Sequence, residues 1–114
     1  MDWTDDRQET YDAFRAHVNM EPKELEEWLE TEDSKRVGDS GSGESTGHRS
    51  GRRIVEIKRT TKDDLTESDL DHMQKVVGYI KRHTAQGPES DVKESNWRYS
   101  LMNWGHDPCK EQDC

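Results

Sequence analysis

Residues 48–62 read HRSGRRIVEIKRTTK, and whether the middle of this run is a strand or a helix separates a mixed fold from an all-α one. Ile54, Val55 and Ile57 are β-branched and would tolerate a strand. A strand, however, would set Arg53, Val55 and Ile57 on one face and Ile54, Glu56 and Lys58 on the other, mixing charge with apolar carbon on both. A helix gathers Ile54 and Ile57 on one side and turns Arg52, Arg59 and the direction of Arg49 to the other. The periodicity therefore predicts a short helix from Gly51 to Arg59, with Ser50 as its N-cap.

The same run is a basic island. Arg49, Arg52, Arg53, Lys58, Arg59 and Lys62 stand against the single acid Glu56, inside a chain whose formal net charge is −9. Such a contrast marks either a docking surface for an anion or an internal counterweight to the chain's own acid. As a docking surface, the six cations would contact phosphates of DNA or RNA, with Lys75, Lys81 and Arg82 as second contributors. As a counterweight, they would lie against residues 1–34, which hold 12 acids and 3 bases.

N-terminal to the island, Gly38 to Gly51 contains five Gly and four Ser in fourteen residues. With nothing apolar to bury, it reads as a flexible connection or a binding loop. Its Gly38–Ser45 portion has the spacing of a phosphate-binding loop, but Glu44 stands where a lysine must meet phosphate, and the glycine pattern also misses the dinucleotide fingerprint. Earlier still, Thr4 reads as an N-cap with Asp5 and Asp6 in the first turn, followed by Tyr11, Phe14 and Val18 on one stripe. Met20-Glu21-Pro22 restarts a helix whose buried edge is Leu25, Trp28 and Leu29, so the first third is expected to be a helical hairpin.

C-terminal to the island lies the most strongly patterned segment. Thr66 caps, Asp69 completes a capping box, and Leu70, Met73, Val77 and Ile80 step along a helix to about His83. Gly78 falls on its polar face, where either something approaches closely or the helix tolerates the cost. After Gln86-Gly87-Pro88, Ser95 or Asn96 opens a last helix with Trp97, Leu101 and Trp104 inward, Tyr99 and Met102 on a second face, and Gly105 as its stop. The expectation is an all-α bundle of four or five helices over residues 1–108, with a disordered tail from 109 to 114.

Composition narrows the classes of function. With 27% hydrophobic residues and a mean hydropathy of −1.34 in 114 residues, one small core is available. No apolar run approaches the ~18 residues of a membrane span, and the start Met-Asp-Trp-Thr-Asp-Asp lacks the features of a signal peptide. A cytoplasmic protein is expected, and an acid excess of this kind suits a salt-rich cell. The only cysteines are Cys109 and Cys114; a disulfide between them would close a tiny loop and add little stability, and a reducing cytosol is not expected to keep it. His106, Cys109 and Cys114 offer three candidate zinc ligands where a closed structural site needs four, and His72 and His83 border an apolar arc where packing is expected. No nucleophile-elbow or metal-hydrolase spacing occurs, so neither an enzyme nor a cofactor is expected.

Three blocks, GHRSGRRIVEI at 47–57, DLTESDLDHMQKVVGYIKRH at 64–83 and WRYSLMNWGHDP at 97–108, resemble domain-of-unknown-function family 3140, small prokaryotic proteins of which some carry a DNA-binding label. From the basic island, the leading expectation is a non-catalytic nucleic-acid-associated protein that uses Arg49, Arg52, Arg53, Lys58, Arg59 and Lys62 for phosphates. The alternative is an acidic protein–protein interaction module, engaging a partner through its acidic hairpin or its Tyr99/Met102 face, with the basic segment neutralised internally.

Overall fold

The basic island forms a helix in the computed structural model, which describes residues 2–37, 46–87 and 92–111. Among the described residues six α-helices run in the order α1 (Asp5–His17), α2 (Pro22–Leu29), α3 (Glu32–Val37), α4 (Thr46–Arg59), α5 (Glu67–Thr84) and α6 (Asn96–Asn103). Short 3-10 turns occupy Lys62–Asp64, Val92–Glu94 and Pro108–Lys110, and there is no strand among the described residues. The Gly38–Ser45 run lies outside them, as do residues 88–91 and 112–114.

Local chemistry starts and stops these helices largely where the residues indicate. The Thr4 hydroxyl accepts from the Arg7 amide at 3.2 Å, Pro22 opens α2, and Thr66 and Asp69 form a reciprocal capping box on α5. Ser95 caps α6. Gly105, at φ 81°, ends that helix with its amide on Met102 O and the His106 amide on Leu101 O, 2.9 and 3.0 Å, a glycine-dependent C-terminal motif.

The expected hairpin of α1 and α2 is not how the two helices pack. α1 lies against α5 and α2 against α4, while α6 touches α2, α3 and α4. The connector between α1 and α2 is held elsewhere. Its Met20 amide donates to Gly105 O at 3.1 Å, and the Asn19 side chain exchanges hydrogen bonds with the backbone of Asp107. These contacts to the chain's end take the place of a tight interhelical turn.

Two further differences concern helix count and boundaries. α3 is a sixth, short helix, started by the Thr31 hydroxyl accepting from the Ser34 amide at 3.1 Å. α4 begins at Thr46, so residues 46–51 are helical and Ser50 lies within the helix instead of capping it. The glycines read as loop residues serve as points of close approach: a Cβ on Gly51 would stand 2.5 Å from Asn103 O and 2.7 Å from Leu29 Cδ2. At the other end, Pro108–Lys110 form a 3-10 turn. Asp107 caps the final turn, and Lys110 Nζ reaches Asn19 O and Glu24 at 3.0 and 2.6 Å.

The core joins Phe14 and Val18, Met20, Leu25 and Leu29, Ile54, Val55 and Ile57, the inner row of α5, and Leu101 with Trp104. Asn103 is almost fully buried and ties three helices. Its side-chain oxygen accepts from Trp28 Nε1 at 2.8 Å and Ser34 Oγ at 2.5 Å, and its amide donates to Ser34 O at 3.0 Å. A buried amide left without partners would cost stability, and this network satisfies the Asn103 oxygen twice and its amide nitrogen once.

Candidate functional site

The six cations of the island do not share one environment. Lys58, near the end of α4, turns inward and donates to Val18 O at 3.1 Å and Met20 O at 2.9 Å, closing the C-terminus of α1. Burial holds its pKa below the ordinary lysine value; Glu21 opposes that shift and Arg15 adds to it. Arg59 pairs with Glu26 of α2. Lys62 donates to Gln8 at 2.5 Å and stands over the rings of Trp3 and Tyr11 at 4.5 and 5.0 Å.

Arg49, Arg52 and Arg53 occupy the other half. Arg49 and Arg52 are exposed. Arg53 reaches across to α5, donating to Ser68 Oγ at 2.7 Å and standing 3.5 Å from Asp69. Between the two helices is a cleft of about 320 Å³ lined by Arg49, Ser50, Arg53, His72, Lys75 and Trp104. A shallower depression lined by Arg49, Arg52, Arg53, Glu56 and Asp69 adjoins it. Lys75 therefore joins the arginines, whereas Lys81 and Arg82 are exposed in the last turn of α5 and do not line the cleft.

Ser50 and His72 form the inner wall. Ser50 is 4% exposed, and its Oγ lies 2.9 Å from His72 Nε2. Burial lowers the His72 pKa, the Arg53 and Lys75 cations lower it further, and a bond to Ser50 and the Asp69 charge work the other way. Linear sequence did not mark this pair: the serine reads as a cap and the histidine as packing until α4 and α5 are placed side by side. Their tertiary contact is the only signal.

Behind His72 runs a continuous column of parallel rings. His72 stacks on Trp104 at 6.5 Å, Trp104 on Tyr79 at 4.3 Å, Tyr79 on His83 at 5.1 Å and His83 on Trp97 at 6.4 Å. α5 supplies His72, Tyr79 and His83, one or two turns apart on one face, and the α6 segment supplies both tryptophans. Burial raises the Tyr79 pKa and lowers that of His83. The expected packing role of both histidines is what their surroundings display, and the column gives the cleft a rigid back.

The C-terminal histidine lies apart from this cleft. His106 is 2% exposed with Nδ1 on His17 O at 2.6 Å, and Cys109 is disulfide-bonded. Among the described residues no cluster of three or more His, Cys, Asp or Glu is arranged to hold a metal ion. Arg98 clamps Asp107 through two bonds of 3.0 and 3.1 Å. Burial works to raise the Asp107 pKa, but the Arg98 bonds, the Cys109 amide and Lys110 together hold it below its usual value. Of the second face of α6, Tyr99 packs on Trp28 at 5.3 Å and Met102 rests partly buried on the core.

Fold and cleft define a small all-α protein with cations of two helices converging on one opening, and no helix among the described residues is long and apolar enough to cross a membrane. A family model, that of the proteins of unknown function DUF3140, matches residues 13–102. The chain belongs to this family. Comparison with curated proteins and with solved structures finds no match.

Proposed function

We propose that this protein is a non-catalytic, nucleic-acid-associated protein that contacts the phosphate backbone through α4 and the facing turn of α5. The observation that carries the reading is the convergence of Arg49, Arg53 and Lys75 on one cleft, with Arg52 beside it on the adjoining depression. Cations on two helices suit backbone phosphates, which fix position and carry no base information. Lys58, Arg59 and Lys62 support α4 from the other end through contacts inside the chain, and the cations that line the cleft are Arg49, Arg53 and Lys75. With a net charge of −9, long-range attraction to DNA is opposed, and affinity rests on these short-range contacts.

Titration with duplex DNA and with RNA across a salt series tests this. About three phosphate contacts correspond to a slope of log affinity against log salt near −3. Arg49→Ala/Arg53→Ala should abolish binding at low salt. Absence of binding at low salt, or binding unchanged in that double variant, removes the proposal. The second reading, a protein-interaction module with the island neutralised within the chain, draws on the Arg59–Glu26 ion pair and gains ground from the same negative result.

A further inference from the structure

We propose that the cleft between α4 and α5 is a discrete site for one tetrahedral oxyanion of the phosphate class, bound by Arg49, Arg53 and Lys75, with His72 as a donor that joins when protonated. It rests on the phosphate-contacting reading above and narrows it from a charged face to a single seat.

Three features point to a seat for one group. The three cations come from two helices and surround one opening of about 320 Å³, an arrangement whose mutual repulsion is relieved when an anion enters. Arg53 is held in position by Ser68 Oγ at 2.7 Å, so one guanidinium is oriented before any ligand arrives, which lowers the cost of ordering. The inner wall is polar and fixed: buried Ser50 bonds His72 Nε2 at 2.9 Å, and the His72 ring is stacked on Trp104.

The groups facing His72 decide how the seat responds to protons. α4 presents Ser50, Arg49 and Arg53, α5 presents Lys75 and Asp69, and Trp104 covers the ring. The cations oppose its protonation and Asp69 favours it. Asp69 is itself engaged by the Thr66 amide at 3.0 Å and by Arg53, so it helps hold the entrance and leaves the inner wall to the ligand. An oxyanion in the seat cancels the cations' effect on the imidazole, and the histidine then takes a proton more readily. By linkage, lowering the pH strengthens anion binding by the same factor.

Inorganic sulfate is the probe, because its charge is constant between pH 5.5 and 8, and any pH dependence then belongs to the protein. Calorimetric titration of the whole chain should give saturable, one-to-one binding that tightens about tenfold from pH 8 to pH 5.5, the scale of one added charge-assisted hydrogen bond. The His72 ring-proton resonance should titrate at higher pH in saturating sulfate than without it. Arg49→Ala/Lys75→Ala, both exposed positions, should weaken binding by tenfold or more, whereas Lys23→Ala, an exposed lysine of α2, should bind as the parent does. His72→Gln should lose the gain at pH 5.5.

Sulfate binding that does not saturate, that persists in Arg49→Ala/Lys75→Ala, or that gains equally in His72→Gln overturns the proposal. A duplex DNA arm separates the two readings. Saturable sulfate binding without DNA binding at low salt keeps the seat and ends the nucleic-acid reading. DNA binding that needs the arginines, without saturable sulfate binding, does the reverse.

Discussion

At the C-terminal end of α4, Lys58 closes the end of α1 by donating to Val18 O and Met20 O, and Arg59 pairs with Glu26. At the other end of the same helix, Arg49 and Arg53 line a cleft whose remaining cation is Lys75. The two ends carry similar side chains and differ in what faces them. α1 and α2 bring carbonyl ends and a carboxylate to the first group, so its charge is matched inside the chain. α5 brings Lys75, a neutral imidazole and Asp69 to the second, and cation outnumbers acid there. A basic cluster in a sequence is thus two objects once folded, an internal clamp and an outward-facing set, and its total charge overstates what is offered to a partner.

The most damaging test of this division is Gly51→Ala, because Gly51 sits between the two ends and lets α4 approach its neighbours. The added Cβ would meet Asn103 O at 2.5 Å, a backbone atom with little room to retreat, and Leu29. Overpacking of this kind costs about 3 kcal/mol, read as a lowered urea midpoint with unchanged slope. A variant as stable as the parent would mean that α4 is not seated on α6 as described. Lys58→Met comes next. It keeps the aliphatic stem but removes the donor from the Val18 and Met20 carbonyls, a loss of about 2 kcal/mol on the scale of charge-assisted hydrogen bonds. Anion affinity should stay within a factor of two of the parent; a larger fall would place Lys58 with the outward set.

What the residues disclosed in advance follows the range of the interactions involved. Thr4, Pro22, the Thr66/Asp69 box, Ser95 and Gly105 act on backbone within a few positions of themselves, and each was legible from its neighbours. The helical state of residues 52–58 was legible because Ile54 and Ile57 share a side only at helical pitch. The close approaches at Gly47 and Gly51 are not legible locally, because their partners, Trp104 and the Asn103 carbonyl, lie about fifty positions away and are invisible to any local window. Asn103 carries no local signal of its own; its role depends on Trp28 and Ser34 arriving from the opposite end of the chain. The α1–α2 hairpin was expected from adjacency alone, and the Asn19–Asp107 and Met20–Gly105 bonds displaced it. Gly78 is resolved differently: a Cβ there would meet only the end of the Arg82 side chain at 3.2 Å, so no backbone requires the glycine.

The smallest effect is expected from the member of the island whose charge is most visibly matched. Arg59 and Glu26 form an ion pair with half of each side chain exposed, 50% and 45%. Water screens such a pair and two long side chains lose freedom in making it, so Arg59→Ala should cost about 0.5 kcal/mol or less, shrinking further in salt. Arg59 lines a groove with Glu26, Glu30 and Glu56, away from Ser50 and His72, so its removal should leave sulfate affinity and the His72 titration as they were. A stability loss near that of Lys58→Met would make the exposed ion pair part of the clamp in its own right. A loss of anion affinity would extend the outward set to Arg59 and leave Lys58 and Lys62, held by the Val18 and Met20 carbonyls and by Gln8, as the internal clamp.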